Sequence, residues 1–335
     1  MTLQDRSPSD PLWVITSYYN PAGYRRRLQN FHAFRRQLTA PLLVVELTPD
    51  GRGQLQDTDA DMVVRLSGDD RIWQKERLLN IGASMLPPHV RYVAWVDADL
   101  LFSDPDWPIK ARAALDEHGG MVQLFETAHH LAEDIDPQTV DIAQCAGLTP
   151  LLSGISIARS LREGQFDAIE GVWGKRSDPL ANGADAIPKL YNVYGFAWAA
   201  LRETFVASGL YEGNVVGGAD AMTIFAQLGR LDQTWSKRPH TEPHWAHVHQ
   251  WAARARHKGL FAHLDDLPQT AYHLWHGAMI NRNYTGRYQI LTDNDFDPAR
   301  DMIAEPGRPL RWANPASPIA ADVGAYFFSR REDGE

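Results

Sequence analysis

Cysteine is nearly absent from this 335-residue chain. With Cys145 alone, the sequence excludes a disulfide within the chain and a metal site built on several thiolates. Basic residues are outnumbered, 33 against 42 acidic, and the net charge of −9 argues against a nucleic-acid partner. No apolar run approaches the roughly 20 residues of a membrane span, and the first residues lack the apolar segment of a signal peptide. We therefore expect a soluble, cytoplasmic protein with its thiol reduced.

The sequence also lacks a Gly-x-Gly-x-x-Gly dinucleotide fingerprint, internal repeats and low-complexity tracts. Its first third alternates short apolar runs with stretches of helical spacing. The runs predict strands over 12–16, 41–47, 62–66 and 92–96, with helices over 23–38 and 73–86. Such alternation is typical of βαβ units and a largely parallel sheet.

Two carboxylates, Asp97 and Asp99, directly follow the predicted strand 92–96. Ligands of open α/β sheets bind beyond the carboxyl ends of the strands. Paired carboxylates there suit Mg²⁺ or Mn²⁺, which could bridge them to a diphosphate. The pattern alone is a weak signal, because a loop residue or a helix cap accounts for it equally well.

After residue 127 the pattern loosens until about 190, and only 156–163 is periodic. Order returns with a strand over 193–199, a glycine-flanked loop over 213–220, a helix to 228 and a strand-like run over 270–275. The histidines between 240 and 249 lack a carboxylate or cysteine at zinc-ligand spacing, so we interpret them as a polar surface or helix cluster.

The order of these segments resembles that of the GT-A-fold glycosyltransferases, especially the galactosyltransferase-like and family-2-like nucleotide-sugar enzymes. The matching segments, which extend from about Ile15 to Arg287, are 17–21, 74–82, 96–100, 195–198, 217–220 and 276–287. Their order and spacing together carry the resemblance. It implies an α/β fold with a GT-A-like, Rossmann-type, mixed and mostly parallel sheet flanked by helices, and a loop-rich acceptor-side portion.

The resemblance implies that Asp97 and Asp99 belong to a metal and nucleotide site, with Asp99 the more direct ligand. A histidine near the end of the core often completes such a site, and His273 and His276 are the candidates. In an extended segment, positions three apart point to opposite faces, so at most one should face the metal. Gly277 permits a sharp turn, which favours His276. The alternative is a structural histidine.

The resemblance also implies a closing flap, because Arg282 and Arg287 suit phosphate oxygens and Tyr284 lies between them. The alternative is a solvated basic loop. The four residues 217–220 resemble a Gly-Gly-Glu-Asp motif in which Ala219 replaces the acidic residue. Asp220 then matches the general base that takes the acceptor proton, although a helix cap would explain it too.

Further residues are predicted to bind the substrates. Trp198 and Gly218 are assigned to the acceptor, with core packing as the alternative for Trp198. The helix 73–86 resembles the segment that holds the sugar nucleotide. The nucleotide-binding candidates on this helix and after successive strands, each of which could be an ordinary loop residue, are Tyr18, Asn20, Glu46, Asp69, Arg77 and Asn80.

The resulting interpretation divides the chain into a nucleotide-sugar-binding half (10–126), an acceptor-binding and metal-completing half (127–300) and an irregular C-terminal tail (301–335). The predicted activity is transfer of a hexose from a UDP-sugar to a carbohydrate or other hydroxyl acceptor, with inversion and with Mn²⁺ or Mg²⁺ as cofactor. The alternatives are a non-catalytic nucleotide- or glycan-binding module of the same fold and a sugar-phosphate nucleotidyltransferase. The latter would need a phosphate-cradling glycine loop after the first strand, which 17–21 is not.

Overall fold

The computed structural model describes residues 10–168, 190–235, 239–284 and 286–334. Part of the predicted loop-rich portion, 169–189, lies outside these residues. Within them, the strands are β1 Trp13–Tyr19, β2 Leu42–Thr48, β3 Met62–Ser67, β4 Tyr92–Val96, β5 Leu100–Phe102, β6 Met121–Gln123, β7 Thr127–His130, β8 Leu152–Ile155, β9 Tyr191–Asn192, β10 Ala197–Leu201, β11 Leu264–Asp266, β12 Thr270–His273, β13 Met302–Ile303 and β14 Arg311–Trp312.

Helices alternate with the first strands and then become more frequent along the chain. In the same part of the chain they are α1 Arg25–Gln37, α2 Lys75–Met85, α3 Trp107–His118, α4 Ile142–Cys145, α5 Ile157–Arg162, α6 Arg202–Ser208, α7 Ala219–Gln227, α8 Asp232–Trp235, α9 Glu242–His257, α10 Gln289–Asp293, α11 Pro298–Asp301 and α12 Pro318–Ser329. Short 3₁₀ turns occupy Asp57–Asp59, Met279–Arg282 and Gly286–Tyr288. None of the described helices is long and apolar enough to cross a membrane.

The central sheet has seven strands in the order β11-β6-β10-β4-β1-β2-β3. Strands β1 to β4 are parallel, and β10 is antiparallel to both of its neighbours. Adjacent β1 residues serve opposite faces: Val14 packs in the cluster that contains Phe31 of α1, and Ile15 packs with Leu78 of α2. Helices on both faces bury β2 and β4 completely, which explains their unbroken apolar runs. The predicted α/β class, with a mixed and mostly parallel sheet flanked by helices, is confirmed.

A second sheet has the strand order β5-β12-β7-β8-β9. Its strand β5 directly follows the Asp97–Asp99 segment in sequence. Strand β5 begins at Leu100 and pairs antiparallel with β12, placing Leu100 opposite His273. The backbone N–H of Leu274 donates to the Asp99 carbonyl at 2.9 Å. This register brings the histidine-bearing segment beside the carboxylates although some 170 residues separate them in sequence.

The prediction of an irregular tail over 301–335 is wrong. Ser317 precedes a twelve-residue helix, α12, whose Pro318 stands in the first turn, where proline is tolerated. Val323 and Phe327 of α12 pack in a core cluster with Tyr288. The chain then returns to α1, where Asp333 accepts hydrogen bonds from the N–H groups of Arg25 and Arg26. The tail thus provides the N-terminal cap that α1 lacks locally, because Tyr24 makes no side-chain cap.

Candidate active site

Lys75 connects the first strand-end carboxylate to the predicted base. It is the first residue of α2, and its Nζ lies 2.7 Å from Asp97 Oδ1 and 3.4 Å from Asp220 Oδ2. Asp220 is the second residue of α7, which begins after the left-handed Gly218, so its side chain is not the helix cap. The structure therefore brings together Asp97 and Asp220, as predicted, and adds a lysine that the sequence interpretation missed.

Burial controls the charges around Lys75. Burial disfavours the charged form of the Lys75 ammonium, but the carboxylates of Asp220 and Asp97 outweigh this effect and raise the pKa of Lys75 above its ordinary value. Burial also raises the pKa of Asp97 to about 6, against the opposing effect of Lys75. Burial and the neighbouring Asp220 carboxylate raise the pKa of Glu76 to about 8. The charges of Lys75, Asp97, Asp220 and Glu76 therefore influence one another.

Asp99 belongs to a separate group with two histidines. Its Oδ2 lies 3.1 Å from His276 Nε2 and 3.8 Å from His273 Nε2. Burial acts to raise the pKa of Asp99, but the imidazoles and Arg282 outweigh it and lower that pKa. The expectation that only one histidine faces the carboxylate is wrong. Strand β12 ends at His273, so strand alternation does not extend to His276, and Gly277, with φ +92°, turns the chain there.

Phe196 holds the His273 ring in place. The two rings stack with centroids 4.8 Å apart and 18° between their planes. Phe196 has φ +78°, a conformation that costs a non-glycine residue on the order of 1–3 kcal/mol. Its carbonyl accepts a hydrogen bond from the N–H of Asp97 at 2.8 Å. The strained residue therefore contacts both halves of the site.

The donor set of Asp99, His273 and His276 fits a divalent ion. Their ligand atoms lie within 4.8 Å of one another. Asp99 Oδ1 is buried without a hydrogen-bond partner in the described ranges. Burial lowers the pKa of His273 well below its ordinary value, which keeps the ring neutral with a lone pair to donate. Two imidazole nitrogens suit Mn²⁺ better than Mg²⁺. Asp97 is outside this group and pairs with Lys75 instead.

The C-terminal residues close the far side of His276. Glu332 is buried and accepts hydrogen bonds from Arg27, with Nη2 at 2.8 Å, and from Arg330 Nε at 2.5 Å. Its Oε2 lies 3.7 Å from His276 Nδ1. Burial opposes the Glu332 charge, but Arg27, Arg330 and His276 outweigh it and hold the pKa well below its usual range. Glu332 therefore lies on the Nδ1 side of the His276 ring, and Asp99 lies on its Nε2 side.

Of the residues predicted to form a closing flap, Arg282 and Arg287 are buried and Tyr284 is exposed. Arg282 donates to His276 Nε2 at 3.0 Å and to the Tyr284 hydroxyl at 3.1 Å. Arg287 donates to Tyr326 at 3.2 Å and lies over the ring of Tyr284. Both guanidinium groups are buried, which excludes the solvated basic loop. Their Nε atoms have no hydrogen-bond partner within the described segments.

The candidates in the last residues of β1 and β2, and just beyond β1, contact Gln54. The Tyr18 hydroxyl and the Asn20 amide both donate to Gln54 Oε1, at 2.8 and 2.9 Å. The buried Glu46 accepts the N–H of Gln54 at 2.6 Å. Asp69 is exposed at the end of β3. The first three thus share Gln54 as a hydrogen-bond partner, and Asp69 does not join them; their role in binding a nucleotide stays a prediction.

Arg77 and Asn80 have structural partners in place of the predicted nucleotide. Both side chains meet Glu212, at 2.9 Å from Arg77 Nη1 and 2.6 Å from Asn80 Nδ2. Arg77 also donates to the carbonyls of Arg308 and Glu305. They share a helix face, as their spacing indicates, but that face anchors α2 to two later loops.

The two predicted acceptor residues have different outcomes. Trp198 is 2% exposed in the core, where it donates to the Tyr194 carbonyl, so it packs rather than forming a sugar platform. Gly218 has φ +92°, and a Cβ there would lie 1.9 Å from the Tyr288 hydroxyl. Glycine is therefore required beside Asp220. Ala219 is fully buried, so no acidic residue could replace it in this packing.

Neither a protein-family model nor a curated protein matches this chain. Among solved structures it is similar to S. aureus TarS 1-349 with UDP and with UDP-GlcNAc. Each alignment covers 92% of this chain and 98% of the other, at 12% and 13% identity and TM-scores of 0.28 and 0.27. A longer S. aureus TarS structure matches 38% of this chain and 23% of its own length, at 18% identity and a TM-score of 0.25. At these values the alignments transfer no ligand or activity.

Proposed function

We propose that the chain is a metal-dependent glycosyltransferase that transfers a hexose from a UDP-sugar to a hydroxyl acceptor, with inversion at the anomeric carbon. One observation carries this proposal. Asp97 and Asp220 share the ammonium of Lys75, while Asp99 meets His273 and His276 immediately beyond the same strand end. A candidate base and a candidate metal group therefore flank one edge of the sheet, where ligands of such sheets bind.

The proposed reaction is a single displacement. The acceptor oxygen forms a bond to the anomeric carbon as the bond from that carbon to the diphosphate breaks, and Asp220 takes the acceptor proton. With its carboxylate 29% exposed, Asp220 can be reached from solvent. Lys75 holds this carboxylate in position. Asp99, His273 and His276 would hold Mn²⁺, whose positive charge would stabilise the departing diphosphate.

The remaining contacts supply binding. Arg282 and Arg287 have unpartnered Nε donors that suit phosphate oxygens. Arg282 donates to the His276 nitrogen that would also hold the ion, so with an ion bound there this guanidinium would be available to the diphosphate. Tyr18 and Asn20 line the edge where a uridine would lie.

One observation favours a second candidate, the non-catalytic nucleotide-binding module. Ala219 fills a buried position where the resembling motif has an acidic residue. Such a module binds UDP without turnover.

The test combines turnover with binding. Nucleotide sugars are screened with Mn²⁺ for transfer and hydrolysis, using the parent, Asp220→Asn, Asp99→Ala and the control Asp232→Asn, an exposed residue in the first turn of α8. Asp220→Asn should lower the rate by about a hundredfold or more and leave UDP affinity nearly unchanged, since the base acts on the acceptor. Asp99→Ala should abolish the strengthening of UDP binding by Mn²⁺.

Two results would reject parts of the proposal. Transfer by Asp220→Asn at close to the parent rate would remove Asp220 from the mechanism. A parent protein that binds UDP but turns over no nucleotide sugar would establish the binding module instead.

A further inference from the structure

A second group of metal-ligand side chains lies at the edge of the central sheet. It consists of His118, His263 and Asp265, whose ligand atoms all lie within 4.8 Å of one another. The two imidazole rings have centroids 4.7 Å apart and are tilted by 42°. Both histidines are exposed and Asp265 is half-buried, so an ion from solvent can reach all three. The group shares no residue with the candidate active site.

Backbone contacts fix these three residues relative to one another. His118 ends α3, and the turn that follows contains Gly120, with φ +66°. A Cβ on Gly120 would lie 2.3 Å from the His263 carbonyl oxygen, so only glycine allows this approach. Met121 then donates its N–H to the His263 carbonyl at 2.9 Å and stands opposite Leu264 in the β6–β11 pairing. Because these contacts already fix the backbone, ion binding would cost only the conformational entropy of the three side chains.

The donor chemistry suits a first-row transition metal. Two imidazole nitrogens and one carboxylate oxygen are a common zinc set, and Zn–N distances of about 2.0–2.1 Å place tetrahedral ligands roughly 3.3 Å apart. Exposed rings reach that spacing by side-chain rotation alone. His118 also stands at the C-terminus of α3, where the helix dipole attracts a cation.

We propose that His118, His263 and Asp265 bind one divalent transition-metal ion, for which Zn²⁺ is the best match. The ion ties β11, an edge strand of three residues that pairs only with β6 among the described strands, to the end of α3. It therefore stabilises the sheet at an edge that otherwise has few ladder hydrogen bonds. This proposal does not depend on the proposed activity.

The experiment counts bound ions in the chelator-treated, full-length protein. Zn²⁺ is titrated by calorimetry into Asp99→Ala, which lacks the other metal group, and into the same protein carrying His263→Gln or the control His257→Gln. His257 is also exposed, at the end of α9, but belongs to no such group among the residues that the structure describes. We expect one Zn²⁺ per chain, weakened at least about tenfold by His263→Gln and unchanged by His257→Gln.

A second readout separates ligation from adventitious binding. Co²⁺ in a tetrahedral site gives visible absorption bands, which His263→Gln should remove and His257→Gln should keep. If Asp99→Ala fails to fold, His263→Gln in the parent should lower the number of tight sites by one. Equal isotherms for the His263→Gln and His257→Gln proteins, or no Zn²⁺ bound in a folded Asp99→Ala protein, would overturn the proposal.

Discussion

Neutralising Glu332 should lower the free energy of unfolding more than neutralising an exposed carboxylate does. The Glu332 side chain is 1% exposed and that of Arg330 is 5% exposed, so Glu332→Gln leaves a guanidinium buried without its countercharge. Breaking a buried pair by removing one partner costs about 3–5 kcal/mol. Because Gln keeps an oxygen that can accept hydrogen bonds, we expect the lower value, about 3 kcal/mol.

This energy converts into a measurable shift. Unfolding entropies of about 2.1 cal/mol/K per residue give roughly 0.7 kcal/mol/K for 335 residues, so about 3 kcal/mol lowers Tm by about 4 °C. Thermal unfolding followed by circular dichroism, with urea titrations at pH 7.5, measures both quantities. The matched control is Glu203→Gln, since Glu203 is exposed, and it should leave Tm within about 1 °C of the parent.

A double variant tests the cause. Replacing both charges, with Arg330→Met and Glu332→Leu, leaves only Arg27 unpaired, and its side chain is 24% exposed and can reach water. The double variant should therefore be more stable than Glu332→Gln. If Glu332→Gln melts with the parent, or if the double variant is the least stable of the three, the buried pair does not carry the stability assigned to it.

Two further changes test backbone and burial. Gly218→Ala should lower the free energy of unfolding in urea by about 2–4 kcal/mol, because it combines φ +92° with a clash against Tyr288. The control Gly229→Ala has a strained φ but no atom near the new Cβ, and it should lower this free energy by about 1 kcal/mol. Equal losses for the two variants would show that the clash contributes nothing. Burial lowers the pKa of His244 well below 6.5, so this side chain stays neutral in the folded state. In the unfolded state it gains a proton below about pH 6.5, and the free energy of unfolding therefore decreases as the pH is lowered. His244→Phe should remove about 2 kcal/mol of the parent's loss of stability between pH 7.5 and pH 5. Equal pH profiles for His244→Phe and the parent would contradict this assignment.

The sequence predicted the parts of the site that depend on strand ends. The carboxyl ends of parallel strands meet at one edge of the sheet, so Asp97, Tyr18, Asn20, Glu46 and Asp69 were predicted near that edge, and of these Asp69 does not join the others. Asp220 was found through its glycine-rich neighbours. Lys75 was within reach of the same reasoning, because it begins the helix behind the Asp97 strand.

The errors came from contacts that no local pattern contains. Arg77 and Asn80 both contact Glu212, which is more than 130 residues later in the sequence. Their spacing predicts a shared helix face but cannot identify the residue that this face contacts. The prolines before α12 indicated irregular structure, but the residues that follow them form a helix whose apolar side chains are buried in the core. Strand periodicity was also extended past His273, where β12 has already ended.

The docking of the tail onto α1 has a consequence for the order in which the protein matures. During synthesis the N-terminal part of a chain folds first, so α1 and the central strands can form while residue 332 has yet to be made. Arg27 and Glu332 are 305 positions apart, and such distant contacts form late and slowly. The His276 ring, which already faces Asp99, gains its second carboxylate neighbour, Glu332, only when that contact forms. The nascent protein therefore has a folded core before it has a finished site.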